Sequence, residues 1–280
     1  MESGLQTTIK SGTARRAPTG FTLIELVVVI VIVGILAALG GQFIVAPVTG
    51  YVDLSRRAKL VDQAEMALRR MQRDIRAALP NSVRVTGTYP AVYIEMLLTE
   101  DGGRYRRYPD PDTGGEILDF STVDASFDVL GSLSRQPSAG QHLVVYNVTT
   151  AGSTGNAYAA AADNRAAIAD TSTIDRIDLS PGFQFANASP TQRFFVVDGP
   201  VSYACENGLL NRYDGYTISQ AQPTAGMGAA ALVTRGISDC EFTYDPGATQ
   251  RAGLVTMRLT LEEQGETITL LHQVHVVNAP

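Results

Sequence analysis

The feature that most constrains this chain is the run Gly20–Pro47, GFTLIELVVVIVIVGILAALGGQFIVAP. Between Leu26 and Pro47 the one clearly polar side chain is Gln42, and there is no charge. Valine and isoleucine fill positions 27–33, so the segment is apolar on every side rather than along one stripe. β-Branched residues are weak helix formers in water, but in lipid a helix lets one segment satisfy its own backbone hydrogen bonds. A helix of this length crosses the hydrocarbon core of a bilayer. The run therefore predicts a membrane-spanning helix or the centre of a hydrophobic assembly. Glu25 is its anomaly. An ionisable group against such a run marks a function or a partner, unless it simply sits at the membrane interface. Spacing alone leaves both readings open.

Charge sets the orientation. Lys10, Arg15 and Arg16 outweigh Glu2 by two, so a net charge of −6 leaves −8 for everything after Gly20. Basic residues ahead of an apolar run hold the N-terminus in the cytoplasm and send the rest across. The run is too long for an ordinary secretory signal, and no small-x-small cleavage site follows it. The acidic remainder has no lysine- or arginine-dominated domain, which argues against nucleic acid as the main partner. Cys205 and Cys240 then fall in an exported body, where a disulfide is chemically permitted. Two buried free thiols are the alternative.

Gly20-Phe21-Thr22-Leu23-Ile24-Glu25-Leu26 resembles the processing site of type IV pilins and type II secretion pseudopilins. The resemblance implies cleavage between Gly20 and Phe21 by a membrane prepilin peptidase, which also methylates the new amine of Phe21. It implies that Glu25 pairs with the N-terminal amine of a neighbouring subunit during assembly. A carboxylate in low dielectric needs such a counter-charge. The motif is specific but covers about the first tenth of the chain. The body is similar, over a longer stretch, to MshO-type minor pilins of the mannose-sensitive haemagglutinin (MSHA) pilus, and more distantly to J-type minor pseudopilins. The matching stretches are Gly199–Cys205, Leu210–Tyr213, Phe242–Gly247 and Leu271–Val276. One departure concerns the helix: many pilins carry a proline about twenty residues into the mature chain, whereas here the first is Pro47.

The expected organisation is a leader over 1–20, a membrane or filament-core helix over 21–50, an amphipathic helix over 51–80, and an exported β-rich domain over 81–280. Pro47 and Gly50 are the expected bend or melting point. Leu54, Ala58, Val61, Ala64, Leu68, Met71, Ile75 and Ala78 form one apolar stripe, with Asp74 among the residues of the remaining surface. The stripe needs a sheet to cover it. The fold class is α+β, pilin-like: a long N-terminal helix, its second half packed on an antiparallel sheet. At close to 60 residues the helix would be roughly 90 Å long, giving a lollipop outline.

In the body, Ala91–Thr99 reads as a strand and Asp101-Gly102-Gly103 as a turn returning through Tyr105. Arg104, Arg106 and Arg107, interleaved with Tyr105 and Tyr108, are a candidate surface contact for a glycan, a phosphate or a nucleic acid backbone. A solvated face beside a packed one has the same pattern. Asp110, Asp112 and Glu116 lie in a Pro-Asp-Gly loop that lacks the regular spacing of a calcium loop. His142–Thr149 reads as a strand, and Ala159–Ala169 as a short helix with Asp163 and Arg165 outward, inside an excursion over 150–170. Arg193–Tyr203 is a strand broken or bulged at Gly199-Pro200. Glu206-Asn207-Gly208 signals a hairpin, and Leu254–Leu261 with Thr267–Val277 reads as the clearest one.

No catalytic constellation, cofactor fingerprint or metal set emerges. His142, His272 and His275 are dispersed, and the last two fall on opposite faces of a strand. The chain reads as a non-enzymatic substrate of the prepilin peptidase/methyltransferase. Its expected partners are other major and minor pilins, the inner-membrane assembly platform and, before assembly, lipid. The expected location is the inner membrane, single-pass with the body in the periplasm, and the pilus after assembly. The expected role is a minor subunit that primes or caps the filament. A pseudopilin of a secretion machine, or a tip subunit binding a surface or nucleic acid, are the alternatives.

Overall fold

The computed structural model describes residues 20–112, 114–247 and 252–279, with backbone alone at 41–47. The leader over 1–19 with Lys10, Arg15 and Arg16, and also Thr113 and Pro280, lie outside the described residues. Helix α1 spans Leu23–Arg76, 54 residues. Thr22 starts it: its hydroxyl accepts the Glu25 N–H at 3.3 Å, and its carbonyl accepts the Leu26 N–H at 3.2 Å. A threonine three residues ahead of a glutamate is the sequence signature of such an N-terminus. The helical assignment continues through Pro47 and Gly50, so the local melting expected there is absent from the backbone.

The chain divides into two compact units, Met1–Leu54 and Ser55–Pro280. In the first, the side chains from Phe21 to Leu39 are exposed around the whole circumference, Phe21 itself by 80%. The window Leu23–Gly40 is long and apolar enough to cross a membrane.

In the second unit the helix buries Leu60, Ala64, Ala67, Leu68, Met71 and Ile75. These recur every three or four residues, as a core-facing stripe must. Two members of the expected stripe differ. Leu54 and Ala58 are exposed, and the cover starts at Leu60. Asp74 is also buried rather than on the outer surface. It stands seven residues after Ala67, two turns along the same face, so helical geometry carries it into the core with its neighbours.

Twelve strands follow among the described residues. The largest sheet contains β1 (Arg84–Thr88), β2 (Ala91–Arg104), β4 (His142–Val144), β5 (Arg165–Ala167), β7 (Arg193–Glu206), β8 (Leu209–Tyr213) and β9 (Ala231–Arg235). A second sheet joins β10 (Ile237–Asp245), β11 (Gly253–Glu263) and β12 (Glu266–Val276). A third pairs β3 (Asp124–Asp128) with β6 (Arg176–Phe183). Strand β7 is the spine. Its whole length pairs antiparallel with β2, while its other edge pairs β4 at 195–197 and β8 at 202–206. Pro200, which has no N–H, sits at the fork between β4 and β8, where that edge has no strand partner. The irregularity expected at Gly199-Pro200 is present as register shifts around Leu98, Thr99 and Asp101 on the opposing strand. The Asn207-Gly208 and Gln264-Gly265 hairpins hold both turn residues at positive φ, as two-residue type I′ turns require.

Among the described residues four apolar clusters fill the unit, and two of them are large. One combines the α1 stripe with Ile94, Tyr203 and Leu210 of the large sheet and Met257, Leu259 and Val274 of the three-stranded sheet. The other gathers Phe127, Leu143, Ile177, Phe185 and Phe194 around the β3–β6 pair. Among the described residues the body therefore has three sheets and more than one core rather than one sheet with idle loops.

Two local expectations are corrected. Asp101-Gly102-Gly103 is not a turn but the continuation of β2 to Arg104. The glycines make room for aromatic rings on the facing strand: a Cβ on Gly103 would stand 2.7 Å from the Phe194 ring, and one on Gly102 3.4 Å from that of Phe195. Residues 159–169 are not a helix; Arg165–Ala167 is strand β5. Alanine lowers the cost of a helix, but edge pairing with β4 decides the outcome here.

Candidate functional site

The N-terminal site is built by the start of α1. Gly20 and Phe21 precede the helix in non-helical backbone and are exposed, as is Glu25 in the first helical turn. A peptide bond ahead of a helix cap is open to an enzyme, whereas one inside the helix is closed by its own hydrogen bonds.

The basic–aromatic cluster is not one surface. Tyr105 is buried; its hydroxyl donates to the Ser189 carbonyl at 3.2 Å and accepts the Ser189 N–H at 2.9 Å. Burial raises its pKa above the ordinary tyrosine value. Arg106 is half-buried and lies 3.9 Å from Asp110. Arg107 and Tyr108 are exposed and stack on each other at 5.6 Å, while Arg104 ends β2. The cross-strand residue opposite Arg104 is Arg193, a neighbour that no local pattern announces because 88 residues separate them in sequence.

The 150–170 excursion is not an outward display. Asn156, Ala157 and Tyr158 are fully buried. The Tyr158 hydroxyl donates to the Ser82 carbonyl at 2.9 Å, and the Arg84 guanidinium lies 3.7 Å over its ring. Arg165, expected outward, turns inward to donate to the Ala157 carbonyl. The Asp163 carboxylate accepts the Gly155 N–H at 2.7 Å. Asparagine and glycine supply the hydrogen bonds and turns that let this segment be buried.

Two buried polar networks escaped the sequence reading. On α1, Asp74 accepts the Tyr203 hydroxyl at 2.8 Å and the Arg212 Nε at 2.9 Å. Burial, reinforced by the Asp74 charge, lifts the Tyr203 pKa far above its ordinary value. On β2, Glu95 is fully buried and accepts the Arg84 Nε at 2.5 Å and the Tyr216 hydroxyl at 2.9 Å. Burial pushes the Glu95 carboxyl up, against the downward pull of Arg84 and Tyr216. Arg84 also donates to the carbonyls of Ser219 and Gln220, fixing that loop to the sheet. A local signal was available at Glu95, a single charge between Ile94 and Met96, but not at Asp74, which follows Arg73.

Cys205 and Cys240 form a disulfide joining β7 to β10, with both cysteines buried in the core beneath α1. His272 is half-buried and His275 exposed on the opposite face of β12, as their spacing predicts. His142 is half-buried, and burial with Arg165 nearby lowers its pKa. Asp110, Asp112 and Glu116 do not converge. Asp110 Oδ1 accepts the Asp112 N–H, and Glu116 pairs with Arg176 at 2.7 Å. Among the described residues no group of three His, Cys, Asp or Glu side chains is arranged to hold a metal.

Residues 15–41 match the prokaryotic N-terminal methylation motif. No curated protein and no solved structure matches the chain. The motif implies processing by a prepilin peptidase/methyltransferase system, and the apolar helix supports a single-pass topology in the inner membrane. With the helix packed by its second half on antiparallel sheet, the motif gives this chain a pilin- or pseudopilin-type fold.

Proposed function

We propose that the chain is a minor structural subunit of a type IV pilus of the MSHA type, which primes or caps filament assembly after its leader is removed. The observation that carries this reading is the methylation motif over 15–41, placed where an exposed Gly20–Phe21 bond meets the cap of a helix apolar on all sides. Cleavage between Gly20 and Phe21 leaves an amine four residues ahead of Glu25. In a lipid-depth assembly the Glu25 carboxylate then pairs with the Phe21 amine of the neighbouring subunit, which removes two isolated charges from low dielectric. The partners are the peptidase, the other pilins and the inner-membrane platform.

Gly20→Ala should leave the precursor uncut in the membrane, detected as a slower band on a gel. Glu25→Ala should be cut normally but fail to enter filaments. Deleting the gene should abolish or strongly reduce surface pili and leave protein secretion intact. Intact pili with failed secretion would instead place the chain in a secretion machine.

A further inference from the structure

The strongest unexplained feature is a cleft of about 360 Å³ at the end of β2, lined among others by Gly102, Arg104, Leu130, Ser132, Arg193 and Phe195. Arg104 and Arg193 are directly opposite each other in the antiparallel pair, so both side chains rise from one face of the sheet. Both are exposed, and neither forms a salt bridge among the described residues. Like charges at such a position destabilise a sheet. Asp101 accepts the Ser134 hydroxyl and N–H, and Asp175 accepts the Ser132 hydroxyl, so neither carboxylate is ion-paired with these arginines. The opposed arginines therefore place two positive charges side by side with no carboxylate in an ion pair with either among the described residues.

The floor is aromatic. Gly102 and Phe195 are cross-strand partners, and the Phe195 ring lies over the glycine, 3.4 Å from where a Cβ would stand. Phe195 is half-buried, lining the cleft while it packs against the cluster of Leu97, Val144 and Tyr158. Two arginines lining one cleft with an aromatic residue suit a planar anion attached to a small ring with an apolar face.

We propose that this cleft binds one acidic sugar residue of a glycan, with the carboxylate between Arg104 and Arg193 and the sugar ring against Phe195. The volume is that of a small-ligand site. A nucleic acid fits less well. Phosphates repeat along a strand and need a basic track, whereas this chain carries a net −6 and the cleft is lined by one opposed pair of arginines. The inference goes beyond the pilus reading and requires only that the body be exported.

The test is calorimetric titration of the detergent-solubilised full chain with an oligogalacturonate, its methyl ester and a short DNA duplex. The oligogalacturonate should bind saturably, and the methyl ester should bind about tenfold more weakly or worse. Arg104→Ser and Arg193→Ser should each weaken binding about tenfold. Arg193→Glu should abolish binding and, by giving Arg104 a partner, raise the unliganded Tm by about one or two degrees. Retention of that Tm shows that lost binding is not lost folding. The proposal is overturned if the folded chain does not bind oligogalacturonate, if binding survives Arg193→Glu, or if the DNA duplex binds better through the same arginines. Filament incorporation of the Arg193→Glu variant should be normal, which separates this site from the assembly role.

Discussion

Asp74 carries more consequence than any other single carboxylate on α1. It sits on the buried face, and its two bonds tie the helix to β7 through Tyr203 and to β8 through Arg212. Removing it leaves the Tyr203 phenol without its acceptor and the Arg212 guanidinium with Asp214 alone, the costly way to break a buried network. Asp74→Ala should destabilise the body by about 3 kcal/mol, and Asp74→Asn by less because an acceptor remains. Urea unfolding of the two variants checks both. Tyr213 gives a pH test. Desolvation, with the Glu206 carboxylate accepting its hydroxyl at 2.5 Å, pushes its pKa up to about 12. A folded-state value above that of the unfolded chain means its contribution is complete below about pH 10. It is then lost as pH rises through about 12. The fall in stability over that interval should be shallower in Tyr213→Phe, measured by urea midpoint against pH. At this scale little was legible beforehand. Gly20, Phe21 and Glu25 stand out because their spacing is local. Asp74, Glu95 and Arg193 do not, since what defines them is a partner brought from a distant strand.

Elements were more legible than residues. The period of the helix and the alternation of β11 and β12 survive in the structure because each is fixed by one face meeting one core. The misread segments have a common cause. Asp101-Gly102-Gly103 has the composition of a turn, and 159–169 that of a helix, yet the first is strand throughout and the second is turns followed by strand at Arg165–Ala167, because an aromatic ring or an edge strand across the sheet demands it. The element with the clearest separable contribution is the disulfide between β7 and β10, which closes a sequence separation of 35. Chain-entropy arguments give about 3–4 kcal/mol for a loop of that size. Reduction, or Cys205→Ser with Cys240→Ser, should therefore lower the Tm by about 10 °C. A thermal melt followed by circular dichroism with and without reductant checks this. No change would mean that the core around both sulfurs already sets the geometry.

For the molecule as a whole, the sequence separates two problems that two units then solve. The first, Met1–Leu54, has an apolar segment with every face exposed in the isolated chain, and such a surface is stable only in lipid or among other helices. The second, Ser55–Pro280, buries its own stripe, closes its own disulfide and pairs its buried Asp74 and Glu95 with its own arginines. That division is what a subunit needs if it must wait in a membrane and later join a filament. The most direct test of this account is mass spectrometry of the chain recovered from sheared, purified filaments, with quantification against the major subunit. The account predicts an N-terminal peptide beginning at N-methylated Phe21, present at a small fraction of the major subunit's copy number. A chain that still begins ahead of Gly20, or one found in the membrane fraction and absent from filaments, would contradict it.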